Sequence, residues 1–136
     1  MNTPVNYELA KLLKEKGFDE PIKQRYFIAE NIDSNSFPFL QKECALYNWN
    51  NYDDFSTSYY SAPTIADAVM WLYEKHGIWI QVKLGGKLES WDYIVQKKDN
   101  NFAVPYFEIK QHKPFFNSPT EAYEAAIEYA LKNLIQ

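Results

Sequence analysis

Cysteine occurs once in these 136 residues, at Cys44, so no disulfide can close within the chain and a reducing, cytoplasmic setting is expected. Histidine is nearly as scarce. His76 and His112 belong to no H-x-H, H-E-x-x-H or C-x-x-C pattern, so the clustered ligands of a metal site are missing. A basic surplus is lacking too, with 18 acidic residues against 14 basic ones and a net charge of -4. Nucleic-acid affinity comes largely from neutralised phosphates, and this balance argues against it. No stretch approaches the roughly 20 apolar residues that span a bilayer. Met1 to Asn6 lead into a charged segment and not an apolar run, so neither a membrane span nor a signal peptide is expected. Gly85-Gly86 joins two strand-like segments without leading into a helix, which is wrong for a phosphate loop. No cofactor, metal or catalytic residue is expected, and the chain reads as a non-enzyme.

Aromatic side chains are abundant: eleven Tyr, nine Phe and four Trp. Each joins a large apolar body to a specific geometry, and Tyr and Trp add a polar tip. They suit a core, a sheet face or an interface, and composition alone does not choose.

The ordering of helix and strand signals gives an α+β class and one domain over residues 1–136. The expected order is an amino-terminal helix, an irregular aromatic-rich segment, then a helix, a three-stranded antiparallel sheet and a carboxy-terminal helix. Thr3-Pro4 reads as the cap and first position of the first helix, with Val5, Leu9, Leu12 and Leu13 on its apolar face and Gly17-Phe18 as its stop. Residues 19–61 carry little periodicity beyond a short strand-like run at Arg25 to Ile28. Tyr47 to Ser61 is dense in Asn, Ser, Asp and aromatics and reads as a loop, either pinned by buried rings or offering them to a partner.

Thr64 and Asp67 mark the start of a second helix, which Gly77 ends. Ile65, Val69, Leu72, Tyr73 and His76 form its stripe, widened by Ala66 and Met70, and this phase puts Trp71 on the polar arc. Ile78, Ile80, Val82 and Leu84 then alternate with Trp79, Gln81 and Lys83, the period of a half-buried strand. A two-residue turn at Gly85-Gly86 would pair Leu84 with Lys87, Val82 with Glu89, Ile80 with Trp91 and Ile78 with Tyr93. Trp91, Tyr93 and Val95 then continue the apolar face. Asp99-Asn100-Asn101 reads as the next turn and Phe102 to Lys110 as a third strand, with Pro105 confining it to an edge or to a start after the proline. Ser118-Pro119-Thr120-Glu121 opens the last helix with a capping box, and Ala122, Ala126 and Ala130 let it approach a sheet closely.

Three segments carry a resemblance: L-A-K-L-L-K-E-K-G-F at Leu9 to Phe18, A-P-T-I-A-D-A-V-M-W-L-Y-E-K-H-G-I at Ala62 to Ile78, and T-E-A-Y-E-A-A-I-E-Y-A-L-K-N-L-I at Thr120 to Ile135. Together they resemble a group of small uncharacterised proteins of phages and mobile elements of Bacteroidetes. The resemblance implies a cytoplasmic phage or bacterial protein with no established activity, and it assigns no site residue.

The same helix–strands–helix order is similar to that of double-stranded RNA-binding domains. Such modules dock phosphates with basic residues at the start of the last helix, where this chain has Glu121 and Glu124. The function expected is therefore a non-enzymatic protein-interaction module. Its partner would be a host or phage protein, or a second copy of the chain. Interface hot spots favour Trp and Tyr, which makes Trp49, Tyr52, Trp71 and Trp79 the candidate contact residues. The alternative is a single-stranded nucleic-acid binder using Lys97, Lys98, Lys110 and Lys113 with Phe102 and Tyr106. Lysines at strand ends also serve simply to discourage edge pairing.

Overall fold

Among the described residues, two antiparallel sheets of three strands each organise a chain of the α+β class. The computed structural model describes residues 1–29, 37–54, 56–85, 90–98 and 106–135, with 106–115 described by backbone alone. The chain divides into two compact units, Pro4–Thr64 and Met1–Thr3 with Ile65–Gln136. No helix among the described residues is long and apolar enough to cross a membrane.

The first unit opens with helix α1, Tyr7–Glu15. Its cap is Asn6, whose Oδ1 accepts from the Leu9 amide at 2.9 Å, three residues later than Thr3. Pro4 instead bridges to Thr64, and the Val5 amide donates to the Pro63 carbonyl. The stop is as the sequence predicts. Gly17 takes φ +90°, and the Phe18 and Gly17 amides donate back to the Leu13 and Lys14 carbonyls, closing a Schellman motif over buried Phe18.

Residues 19–61 are not simply irregular. They hold strands β1 (Arg25–Ala29), β2 (Phe39–Gln41) and β3 (Thr57–Ser61) in the order β2-β1-β3, with a 3-10 turn at Trp49–Asn51. The physical reason these strands escape a pattern search is that both faces are half-buried and both carry aromatics, so apolar and polar residues do not alternate. Tyr26 and Tyr60 face α1, where Tyr7 packs edge-on against both at 5.6 and 5.4 Å. Burial, with Tyr60 beside it, pushes the Tyr7 phenol up to about 12, so it stays neutral.

The second unit runs α2 (Ile65–His76), β4 (Ile78–Leu84), β5 (Trp91–Lys98), β6 (Tyr106–Phe116) and α3 (Pro119–Asn133), with sheet order β4-β5-β6. The first amides of α2 are satisfied by the chain's own start, Ile65 donating to the Thr3 carbonyl and Ala66 to that of Met1. The buried side of α2 is Ile65, Ala68, Val69, Trp71 and Leu72. This corrects the phase read from sequence. Trp71 is 3% exposed and packs edge-on against His76 at 4.8 Å, while Met70 and Tyr73 lie outward. The Val69–Leu72 line could be widened on either side, and burial of the larger apolar ring on the Ala68 side won. Gly77 ends α2 with φ +64°, and a Cβ there would stand 3.0 Å from that of Lys98.

The β4–β5 register is displaced by four residues from the expected one: Leu84 pairs with Trp91, Val82 with Tyr93, Ile80 with Val95 and Ile78 with Lys97. An even displacement keeps every side chain on its face, so Ile78, Ile80, Tyr93 and Val95 still form the buried side. The Gly85 amide donates to Ser90, so the connection is longer than a Gly-Gly turn. Gly86, Lys87 and Glu89 lie outside the described residues, as do Asp99 to Asn101, Phe102 and Pro105. Between Tyr93, paired with Gln111, and Trp91, paired with Phe116, the β6 register slips, and Pro114, which cannot donate, falls in the slipped stretch.

Helix α3 is capped as predicted, Ser118 Oγ accepting from the Glu121 amide at 3.1 Å, and it buries Ala122, Ala126, Ile127, Ala130 and Leu131. It packs on β4 and β5. Lys97, opposite Ile78, reaches the far end of α3, where its Nζ donates to the Leu134 carbonyl at 3.0 Å and sets a cation at the negative helix terminus.

Two outcomes follow from this core. Leu72→Ala should cost roughly 2–5 kcal/mol and Trp71→Ala about 3–5 kcal/mol, because both leave buried space. Urea melts in which Trp71→Ala is silent would restore the sequence-derived phase. The His76 imidazole is held below its ordinary 6.5 by burial and, second, by the nearby Lys97 charge. The unfolded chain therefore takes up the proton first as pH falls. Stability contributed by His76 is full above pH 6.5 and is lost as pH drops through the lower folded value. Melts over this range should flatten in His76→Gln; an unchanged slope would remove His76 as the cause.

Candidate functional site

Strand alternation in the first unit sends Tyr26 toward α1 and Arg25 and Phe27 to the other face. The register then sets Phe27 between Phe39 and Tyr59, and Arg25 between Gln41 and Ser61. Phe27 stacks with Phe39 at 5.6 Å and lies 6.3 Å from Tyr59, while Tyr59 meets Tyr52 edge-on at 4.9 Å. Tyr52 in turn meets Trp49 at 5.4 Å and Tyr47 at 6.1 Å. The result is a continuous aromatic ladder. It is not a core, since Phe39 is 61% exposed, Tyr52 is 41% exposed and Tyr47 is also exposed.

The 3-10 turn carries one end of this ladder, and specific bonds hold it down. Trp49 Nε1 donates to the Ile22 carbonyl at 2.8 Å. Asn50 donates from Nδ2 to the Phe18 carbonyl and accepts the Ser61 amide on Oδ1. Arg25 sits in the middle. Its guanidinium lies 4.1 Å from the Trp49 ring centre and 4.4 Å from that of Tyr59, and its Nε donates to Gln41 Oε1 at 2.9 Å. Two cation–π contacts and a hydrogen bond thus commit the charge to the platform itself. Exposed Asp53 and Asp54 follow Tyr52 and lead to Thr57, which Asp54 bridges at the start of β3.

The second unit has a smaller aromatic feature. Met70 and Tyr73 of α2, Trp79 of β4 and Gln96 of β5 line an open depression of about 440 Å³. Tyr73 and Trp79 meet edge-on at 5.4 Å, and Trp79 is 37% exposed.

The four residues singled out from sequence therefore have different fates. Trp49 is only 8% exposed and anchors the ladder beside Arg25. Tyr52 belongs to the exposed ladder. Trp71 is core, a correction to its expected place on a surface. Trp79 is exposed, but in the second unit and beside Tyr73. Sequence reading flagged Tyr47 and Tyr59 only as part of the aromatic Tyr47–Ser61 segment, and missed Phe27, Phe39 and Arg25. The signal for them was the alternation Arg25-x-Phe27, which only strand pairing turns into a shared face with Phe39 and Tyr59.

Of the lysines considered for nucleic acid, Lys97 is bound to the α3 terminus and Lys98 is exposed. Phe102 and the side chains of Tyr106, Lys110 and Lys113 lie outside the described residues. Among the described residues no three His, Cys, Asp or Glu side chains are grouped to hold a metal ion. Cys44 is half-buried, with its Sγ 3.5 Å from the Gln41 carbonyl. No family model matches this chain, and neither a curated protein nor a solved structure shows significant similarity to it.

Arg25→Lys tests the organisation of the ladder. An ammonium cannot lie flat against aromatic rings as a guanidinium does, or keep the Nε bond to Gln41. The substitution should cost about 1–2 kcal/mol in urea melts and alter the Trp49 fluorescence. A variant as stable as the parent, with unchanged emission, would show that Arg25 is a bystander.

Proposed function

We propose that the chain is a non-enzymatic protein-interaction module that works through the aromatic face of its first unit. The observation that carries this reading is the ladder Phe39–Phe27–Tyr59–Tyr52–Tyr47, held rigid from beneath by Trp49 and Arg25 yet left open to solvent. Rigid, exposed aromatics offer contact area at little cost in side-chain entropy, and Tyr and Trp dominate interface hot spots. The partner would be a host or phage protein, or a second copy of the chain, and the setting the cytoplasm of a bacterium carrying a phage or mobile element. That setting rests on the resemblance of the three helical segments alone.

The alternative, single-stranded nucleic-acid binding by lysines and aromatics of the second unit's sheet, has less support, because Lys97 already serves the end of α3.

Parallel purifications of the parent and of Phe39→Ser/Tyr52→Ser from bacterial lysate, compared by quantitative mass spectrometry, test the reading. A partner should fall about tenfold or more in the variant, as loss of hot-spot residues requires, while circular dichroism stays native. Equal recovery of every co-purifying protein would refute it.

A further inference from the structure

We infer that the depression lined by Met70, Tyr73, Trp79 and Gln96 binds a small flat heterocycle of the nucleobase kind, with a hydrogen-bond donor beside an acceptor on its edge. Each lining residue is positioned by the second unit's own framework. Trp79 and Gln96 are paired across β4 and β5, so their side chains stand together on one sheet face. Ile78, Ile80, Tyr93 and Val95 take the opposite, buried face, and packing there fixes both strands from behind. Tyr73 comes from the last turn of α2. That turn runs into Gly77, whose carbonyl accepts from the Lys98 amide at 2.7 Å and ties the helix end to β5.

The rings set the shape of the ligand. Tyr73 and Trp79 meet at 76°, with their centres 5.4 Å apart. A flat ligand lying parallel to one ring meets the other edge-on, and both are favourable aromatic arrangements. Met70, exposed like the two rings, adds a polarisable thioether that also favours aromatic neighbours.

Gln96 selects among flat ligands. Its side chain is half-buried and makes no hydrogen bond to a described residue. A carboxamide presents a donor and an acceptor side by side, and its full match is a ring edge bearing the same pair, as when Gln reads adenine.

Other ligand classes fit less well. A hydrocarbon would cover the Gln96 amide without pairing it, which is costly. A sugar brings hydroxyls all round its ring, but Gln96 is the one amide, and no charged side chain stands with it, among the described lining residues. The bound part is therefore neutral. The volume, about 440 Å³, falls within the roughly 300–1,000 Å³ usual for small-ligand pockets.

Calorimetric titration of the full chain with adenosine, purine riboside, methyl glucoside and oligo-dA tests this. Purine riboside keeps the rings of adenosine but lacks the amino donor. Adenosine should bind saturably and about tenfold tighter than purine riboside, and methyl glucoside should not bind. The Gln96 side-chain amide resonance, assigned by triple-resonance spectroscopy in the parent chain, should shift as adenosine is added. Gln96→Leu should lower adenosine to the level of purine riboside, and Trp79→Ala should abolish both, with native circular dichroism required of each variant. The resonance shift is read on the parent chain and decides the matter even where a variant unfolds. Equal binding of purine riboside, an unmoved Gln96 resonance, or no binding of adenosine would overturn the inference. Salt-sensitive binding of oligo-dA far tighter than that of adenosine would make the ligand a strand and overturn it too. No arm of this experiment touches Phe39 or Tyr52, so its failure leaves the interaction reading standing, and failure of that reading leaves this site standing.

Discussion

The guanidinium of Arg25, in contact with both the Trp49 and the Tyr59 ring, is the interaction on which the first unit's open face depends. A three-stranded sheet with one helix on one side has an uncovered side, and a long connection must cross near it. Here the connection is tied down at Trp49, which bonds to Ile22, and at Asn50, which bonds to Phe18 and Ser61. Arg25 lies 4.1 Å from the Trp49 ring centre. Without it, Trp49 and Tyr59, which also meet each other and Tyr52, would lose the cation they share. The half-buried guanidinium is held against the rings by the same contacts.

The second unit is built on more ordinary terms. An Ala-lined helix lies on the Ile78, Ile80, Tyr93 and Val95 face, and Lys97 reaches the carbonyl at its end. Lys97 is a case of one residue with two consequences. It caps α3, and after burial its charge is the second cause that lowers the His76 pKa. A position that reads from sequence as part of a basic surface proves to be internal electrostatics.

What was legible from sequence divides along physical lines. The helix stop at Gly17-Phe18 and the cap at Ser118 were legible because they rest on local chemistry within a few residues. The β4 alternation was legible because one face is buried and the other is not. The register of β4 with β5 was not, since Gly85-Gly86 suggested a tighter turn than the chain uses; the side-chain faces survived only because the displacement is even. Trp71 was misplaced because an apolar helix can be phased on either side of the Val69–Leu72 line, and only the surrounding packing decides. Of the ladder, Phe27 and Phe39 were missed, and Tyr47 and Tyr59 were legible only as part of an aromatic segment. The ladder's members come from β1, β2, β3 and the 3-10 turn, and aromatics on both faces of a strand erase the alternation that would have shown the strands at all.

The meeting of Pro4 with Thr64, and of Val5 with Pro63, means that the first unit leaves the backbone and returns to it at nearly the same point. Just outside that meeting, Thr3 is bonded to Ile65 within the second unit. In topological terms the first unit is an insertion with closed ends. The entropy of closing a loop grows only with the logarithm of its length, so residues can be gained or lost inside such an insertion with little effect on what brackets it. Residues can therefore be gained or lost in the connections around the aromatic face while the bracketing unit keeps its own core unaltered.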